Sequence, residues 1–355
     1  MKTRLPRWWM LAVISLVVGF GHIGLVEAQE EAENGTVEVV AEYLEIPWDI
    51  AKYEQTFYLT QRTGSIVRIE DGEQLEQTVQ LDKELSTASE AGLLGFALAP
   101  NFAETQEAFA YYTYGDETGQ FNRIVVLRLE QDVWQEERVL VDLIPSGSVH
   151  HGGRLAIGPD EKLYATTGDA ALPELAQDLT SLAGKILRLN LDGSIPTDNP
   201  FADSYVYSYG HRNPQGLSWA ENGNLYASEH GQNAHDEINL IEAGANYGWP
   251  LIEGMETETN MTAPLFTSGT DTTWAPSGLV YEEGKLYVAT LRGSALLEFD
   301  LAAESYRELT SGLGRIRDVW IDSEAGALYF ITNNTDGRGQ PMPEDDKFYR
   351  LMLTD

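Results

Sequence analysis

The chain has 355 residues, with 23 Lys+Arg against 56 Asp+Glu, a formal net charge of -33 and no cysteine. Such a surface repels nucleic acid and anionic lipid, and the lack of cysteine excludes a disulfide framework and thiolate metal sites. A chain this long can bury a large core by packing alone.

Residues 1–28 have the layout of an export signal. Lys2, Arg4 and Arg7 form a basic start, and Val26-Glu27-Ala28 offers a small-residue cleavage point. Trp8 to Phe20 is apolar but falls short of the ~20 residues that span a bilayer. The mature protein is therefore expected in the periplasm or outside the cell, with no stable membrane insertion. Residues 29–36, carrying Glu30, Glu31 and Glu33, read as a disordered acidic leader. Residues 37–355 read as a single domain. The acidic excess suits a salty setting, where counterions screen self-repulsion.

From Pro47 onward one unit recurs six times: a lead-in, an apolar strand, a turn, and a second strand with an aromatic residue. The first strands are Pro47–Ala51, Gly92–Leu98, Gly153–Ile157, Gln215–Trp219, Ser277–Tyr281 and Arg317–Ile321. The second strands carry Tyr58, Tyr112, Tyr164, Tyr226, Tyr287 and Tyr329, at spacings of 54, 52, 62, 61 and 42. Third strands such as Gly64–Ile69, Gly184–Leu189 and Ser294–Phe299 alternate apolar and charged residues, the pattern of a sheet with one buried face. Helical signals are nearly absent; Pro173 to Leu182 suits one short turn inside a loop. The expected fold is all-β, a six-bladed β-propeller of four-stranded antiparallel blades. Val37–Ala41 precedes the first unit, has none of its own, and is expected to complete the last blade and close the ring.

In such a ring the residues just ahead of the innermost strands meet at one mouth. Those positions hold Glu90, His150, Arg212 with Asn213, Trp274, and Arg315 with Arg317, while Arg292 follows the second strand of the fifth unit. Basic residues are scarce in this chain, so four arginines at one mouth imply a ligand with several carboxylates, which the guanidinium fork grips well. His150 is the candidate general base, and Asp169 at the end of the same unit can orient it; His151 should point the other way and be structural. The loop Ser228–Asn239 is rich in oxygen donors of the kind calcium takes.

Several ordered stretches resemble the soluble PQQ-dependent glucose/sorbosone (aldose sugar) dehydrogenases. They are Gly92–Ala97, His150–Asp169, Ser208–Leu217, Glu229–Gly231 through Asn246–Pro250, Ala275–Gly278 and Gly314–Val319. The resemblance runs from about residue 41 to 353. It implies a propeller with pyrroloquinoline quinone (PQQ) over the channel mouth and oxidation of an aldose at its anomeric carbon to a lactone. It makes His150 the base, Asp169 its orienting partner and Arg212 a catalytic contact. It assigns Glu90, Arg212, Asn213, Trp274, Arg292, Arg315 and Arg317 to the cofactor, with Glu90 also beside the sugar. Calcium would use the carbonyls of Gly231 and Gln232, and a second calcium Glu237 and the carbonyl of Tyr247. The implied partners are an aldose sugar and an external electron acceptor, since no haem-attachment motif exists; the protein would be a monomer or homodimer. Two other readings use a similar scaffold. One is a calcium-dependent lactonase, which needs carboxylates and amides around a metal in the channel; the other is a non-catalytic binding propeller.

Overall fold

The alternating segments fold as antiparallel strands joined by tight turns. The structure is a computed structural model that describes residues 36–353, all within one compact unit. The signal segment 1–28 and the leader up to residue 35 lie outside the described residues. Four sheets have four strands each. One comprises Leu155–Ile157, Leu163–Thr167, Lys185–Leu189 and Val206–Tyr209; the next, Pro214–Trp219, Leu225–Glu229, Glu237–Ile241 and Phe266–Thr267. A third comprises Pro276–Glu282, Lys285–Thr290, Ala295–Asp300 and Ser305–Ser311. In the fourth, Ile316–Asp322, Ala327–Thr332 and Phe348–Met352 are completed by Val37–Ala41, with Val37 opposite Leu351 and Val39 opposite Tyr349. The first described strand thus pairs with the last, as its lack of a unit predicted.

The expectation of six separate sheets is corrected at one place. The strands from Pro47 to Gln80 and those from Leu93 to Pro145 form a single eight-stranded sheet. Its halves are antiparallel meanders whose outermost strands run side by side, Thr78–Gln80 pairing in parallel with Val133–Gln135. Val133–Pro145 is long enough to reach its neighbour's edge, and pairing satisfies edge groups that would otherwise face solvent. Trp134 fastens the join: it is fully buried, its ring meets the edges of Tyr58 and Phe96, and its Nε1 donates to Gln77 Oε1 at 2.9 Å.

The first strands of all six units converge. A cavity of about 240 Å³ is lined by Asp49–Ala51, Phe96, Leu155, Leu217, Leu279 and Asp318–Trp320, drawn from six different strands. Five of those strands carry a register shift within their first residues, between Pro47 and Asp49, Leu93 and Phe96, Pro214 and Gly216, Pro276 and Leu279, and Ile316 and Asp318. Each shift twists the strand start and re-aims side chains near the mouth. Among the described residues helix is limited to single turns: Pro173–Ala176, in the expected loop, and Phe102–Thr105, which the sequence reading did not anticipate.

Candidate active site

His150 sits in the segment leading to the Leu155–Ile157 strand, with a backbone φ of 64°. Glu90 has a φ of 67°. This left-handed region is uncommon for residues other than glycine, and where it persists the surroundings hold it in place. Here the holding contact joins the two: the His150 N–H donates to Glu90 Oε2 at 3.1 Å. The neighbouring turn needs glycine, because a Cβ on Gly168 would lie 1.9 Å from the His150 carbonyl oxygen.

Asp169 is fully buried and accepts three hydrogen bonds: His150 Nδ1 at 2.7 Å, the Ala171 N–H at 2.8 Å and Trp249 Nε1 at 2.9 Å. A carboxylate can only accept, so the proton of neutral His150 rests on Nδ1 and its Nε2 lone pair is available. The His150 side chain keeps 17% of its surface, enough to meet a ligand. His151 does the structural work expected of it, buried between Ser146 Oγ at 2.8 Å and the Ser89 carbonyl at 2.9 Å.

Arg212 lies over the Trp249 ring at 5.4 Å and donates Nη1 to the His230 carbonyl at 3.3 Å. Asn213 is buried and accepts the Gly152 N–H at 3.0 Å, tying Arg212 to the His150 segment. Arg317 is buried among amides and a hydroxyl: Gln215 Oε1 at 2.7 Å, Ser277 Oγ at 3.2 Å and Asn333 Oδ1 at 3.2 Å. Arg315 reaches Asp336 Oδ2 at 2.8 Å and the Leu291 carbonyl at 3.3 Å. Arg292, Arg315 and Arg338 line one cavity of about 380 Å³.

Arg315 has Asp336 and Arg338 has Glu90, but Arg212, Arg292 and Arg317 form no ion pair among the described residues. Burial, with the guanidiniums of Arg315 and Arg62 nearby, pushes Arg317 down to about 9 against the pull of Asp336 and Glu90. Burial lowers Arg212 as well. Among the described residues Arg212 Nε, Arg317 Nε and His230 Nε2 are buried without a hydrogen-bond partner. Buried polar atoms are seldom left unpaired, and the two guanidinium nitrogens can only donate, so they fit a bound polycarboxylate. Glu90 is the exception in charge. Burial alone would raise its carboxyl, but the Arg338 charge and the His150 N–H bring it down to about 2.

Trp274 lies just ahead of the Pro276–Glu282 strand, as its place in the repeat implied. Its ring packs edge-on against Phe299 and Tyr306 inside its own sheet, at 5.3 and 5.2 Å. What it offers near the mouth is its carbonyl, which accepts the N–H groups of Arg292 and Gly293. The roles of Trp249, Arg338 and Gln215 were missed. Trp249 lies in a quoted stretch but its pairing with Asp169 is invisible in sequence, while Arg338 stands out only as a rare basic residue in an acidic chain.

Among the described residues no three His, Cys, Asp or Glu side chains converge as a metal site. A calcium site here would rest largely on backbone oxygens. The carbonyls of Gly231, Gln232 and Tyr247 accept no backbone hydrogen bond among the described residues. The loop is drawn tight at Gly231, where a Cβ would lie 1.9 Å from the Ala234 carbonyl oxygen. Glu237 shares a small cavity with Glu229, Glu253 and Tyr247. Burial, then repulsion from Glu229, pushes its carboxyl up to about 8, even though Asn239 and the Gly254 N–H oppose this. Glu229 is already held by His211 Nδ1 at 2.7 Å, and Arg212 lines the same cavity. Glu237, bonded to Asn239 and the Gly254 N–H and in no ion pair among the described residues, is the carboxylate that suits a hard cation.

Beneath the mouth Arg154 bridges two strands from opposite ends of the chain. Its Nη1 lies 2.7 Å from Asp49 Oδ1 and 3.0 Å from Asp318 Oδ2, and its Nε donates to the Gln215 carbonyl at 2.9 Å.

The glucose/sorbosone dehydrogenase family profile matches residues 44–342. Quinoprotein glucose dehydrogenase B of Acinetobacter calcoaceticus is 35% identical over 71% of this chain, a match that spans 61% of that enzyme. Aldose sugar dehydrogenase YliI of Escherichia coli is 30% identical over 85% of this chain and 91% of its own length. The structure of the PQQ-bound form of aldose sugar dehydrogenase from Streptomyces coelicolor superposes with a TM-score of 0.83 at 37% identity, covering 90% of this chain and 98% of that one.

Proposed function

The chain belongs to the glucose/sorbosone dehydrogenase family, whose members are oxidoreductases acting on sugars, and we propose that it is a PQQ- and Ca2+-dependent aldose dehydrogenase. The fold reads as six blades, with the eight-stranded sheet counting as two. Residues 1–28 read as the signal that exports the protein to the periplasm or beyond, where it meets its sugar and an external electron acceptor.

The observation that carries this reading is the buried Asp169 carboxylate on His150 Nδ1, at a mouth lined with underpaired arginines. When bound, PQQ would supply a two-electron oxidant for the anomeric carbon, whose oxidation gives a lactone. His150 accepts the proton of the anomeric hydroxyl on Nε2, and Asp169 stabilises the imidazolium that results. Arg212, Arg292, Arg315 and Arg317 hold the cofactor carboxylates and dipoles, with Asn213 fixing Arg212 beside the base. The carbonyls of Gly231 and Gln232 hold the calcium that serves the cofactor, and Glu237 with the Tyr247 carbonyl holds a second ion. An arginine-rich mouth favours this over a lactonase, whose metal would need carboxylate and amide side chains in the channel.

The test is to add PQQ and Ca2+ to the apo-protein and follow dye reduction across a panel of aldoses. The expected result is sugar-dependent turnover, lowered by roughly 10²–10⁴ in His150→Ala while PQQ still binds. Bound PQQ with no turnover on any aldose sinks the reading.

A further inference from the structure

Arg338 lies in the loop between the last two strands of the Ile316–Asp322 sheet, far in sequence from Glu90. It nevertheless reaches across the mouth. Its Nη1 pairs with Glu90 Oε1, and its Nη2 donates to Ser89 Oγ at 3.1 Å. The arm is braced from behind, since the Arg338 N–H donates to Asp336 Oδ1 at 2.8 Å and the other carboxylate oxygen of Asp336 holds Arg315. Glu90 then has one oxygen on Arg338 and the other on the His150 N–H. The relay runs from one loop, across a carboxylate, to the backbone of the residue that carries the base. Two non-glycine residues in left-handed conformation, Glu90 and His150, stand at its far end. Such conformations persist only where surrounding contacts over-determine them.

We propose that Arg338 is a positioning residue: by latching Glu90 across the mouth it keeps the His150 backbone, and with it the imidazole, in the reactive pose. The proposal deepens the dehydrogenase reading and rests on it for the word reactive, but the latch itself is a property of the apo-protein. Glu90 is two-faced in this arrangement. Without Arg338 its carboxylate is free to turn toward solvent or toward any of the mouth's other arginines, and the His150 N–H loses its acceptor. Lysine at 338 can keep the charge on Glu90 but not the second contact to Ser89, because it lacks the planar fork.

The experiment measures amide hydrogen exchange of His150 in the apo-protein, relative to amides of the Lys285–Thr290 strand, which report global opening. In Arg338→Ala the His150 amide is expected to exchange about three- to tenfold faster, the range for losing a charge-supported hydrogen bond at a half-exposed site. Arg338→Lys should recover most of the protection. In Glu90→Ala the loss should be as large, and adding Arg338→Ala should increase it no further. Arg338→Gln serves as a second variant should the alanine form fold poorly. In the loaded enzyme Arg338→Ala should lower kcat, with Arg338→Lys recovering it. Unchanged His150 exchange in both Arg338→Ala and Arg338→Gln, or a rise matched by the reference strand, overturns the latch. Wild type that shows the latch but no PQQ-dependent turnover would instead count against the dehydrogenase reading alone.

Discussion

At the scale of single residues, the proposed chemistry depends on which nitrogen of His150 holds its proton. Asp169 settles this from a fully buried position with three donors converging on it. Asp169→Asn keeps the shape but replaces an acceptor-only group with one that can also donate. The amide can then turn its NH2 to His150 Nδ1 and leave the proton on Nε2, where the base must be free. It also removes the negative charge that stabilises the imidazolium. Turnover is expected to fall by roughly 10²–10⁴-fold with PQQ affinity little changed, as steady-state rates and a cofactor titration would show. Equal loss of affinity and turnover would mean that Asp169 shapes the pocket rather than the base. The sequence displayed His150 and Asp169 as neighbours in one unit, and so their pairing was legible. Trp249 was not, because its indole reaches Asp169 from the loop between Glu237–Ile241 and Phe266–Thr267, 80 residues away. The ring contacts of Trp274 were hidden for a related reason. Its place ahead of a strand was read correctly, but a large ring is driven into the nearest apolar layer, here Phe299 and Tyr306, and only its backbone stays at the mouth.

At the scale of elements, the repeat made the strands legible and left their joins obscure. Period-two alternation marks one buried face, so the six first strands and their tyrosine-bearing partners could be placed. Closure by Val37–Ala41 followed from a strand with no partner of its own. The parallel join of Thr78–Gln80 with Val133–Gln135 had no signal, because edge pairing depends on strand length and twist rather than on side-chain pattern. The buried triad of Arg154, Asp49 and Asp318 was equally hidden, as each residue looks like an ordinary strand charge. It joins three first strands across the channel, and the Gln215 whose carbonyl holds Arg154 also holds Arg317 through its side chain. Arg154→Met preserves the side-chain stem but leaves two carboxylates facing each other in a buried site. Removing one partner of a buried ion pair costs about 3–5 kcal/mol, and urea unfolding should show a loss of that size. A loss below about 1 kcal/mol would mean that water already solvates the triad.

At the scale of the whole molecule, the charge distribution opposes itself. The chain carries -33 overall, yet Arg62, Arg212, Arg292, Arg315, Arg317 and Arg338 gather at one mouth, six of only 23 basic residues. A tricarboxylate cofactor approaching from solvent meets repulsion at long range and attraction at short range. Screening length decides which it feels. At 0.01 M salt the Debye length is about 30 Å, comparable to the molecule, and the whole acidic surface repels the ligand. At 0.15 M it is about 8 Å, so distant carboxylates are silenced while arginines at the mouth still act. Near 1 M it is about 3 Å, and exposed arginines such as Arg292 and Arg338 are screened too, though buried Arg317 is not. Association of PQQ with the apo-protein should therefore quicken as salt rises from 0.01 to 0.15 M, the reverse of ordinary steering between opposite charges. Dissociation should quicken only toward 1 M. Stopped-flow mixing at fixed calcium over that series separates the two rates. An association rate that falls steadily from the lowest salt upward would mean that the arginine field reaches beyond the acidic surface, and that the mouth, not the net charge, governs encounter.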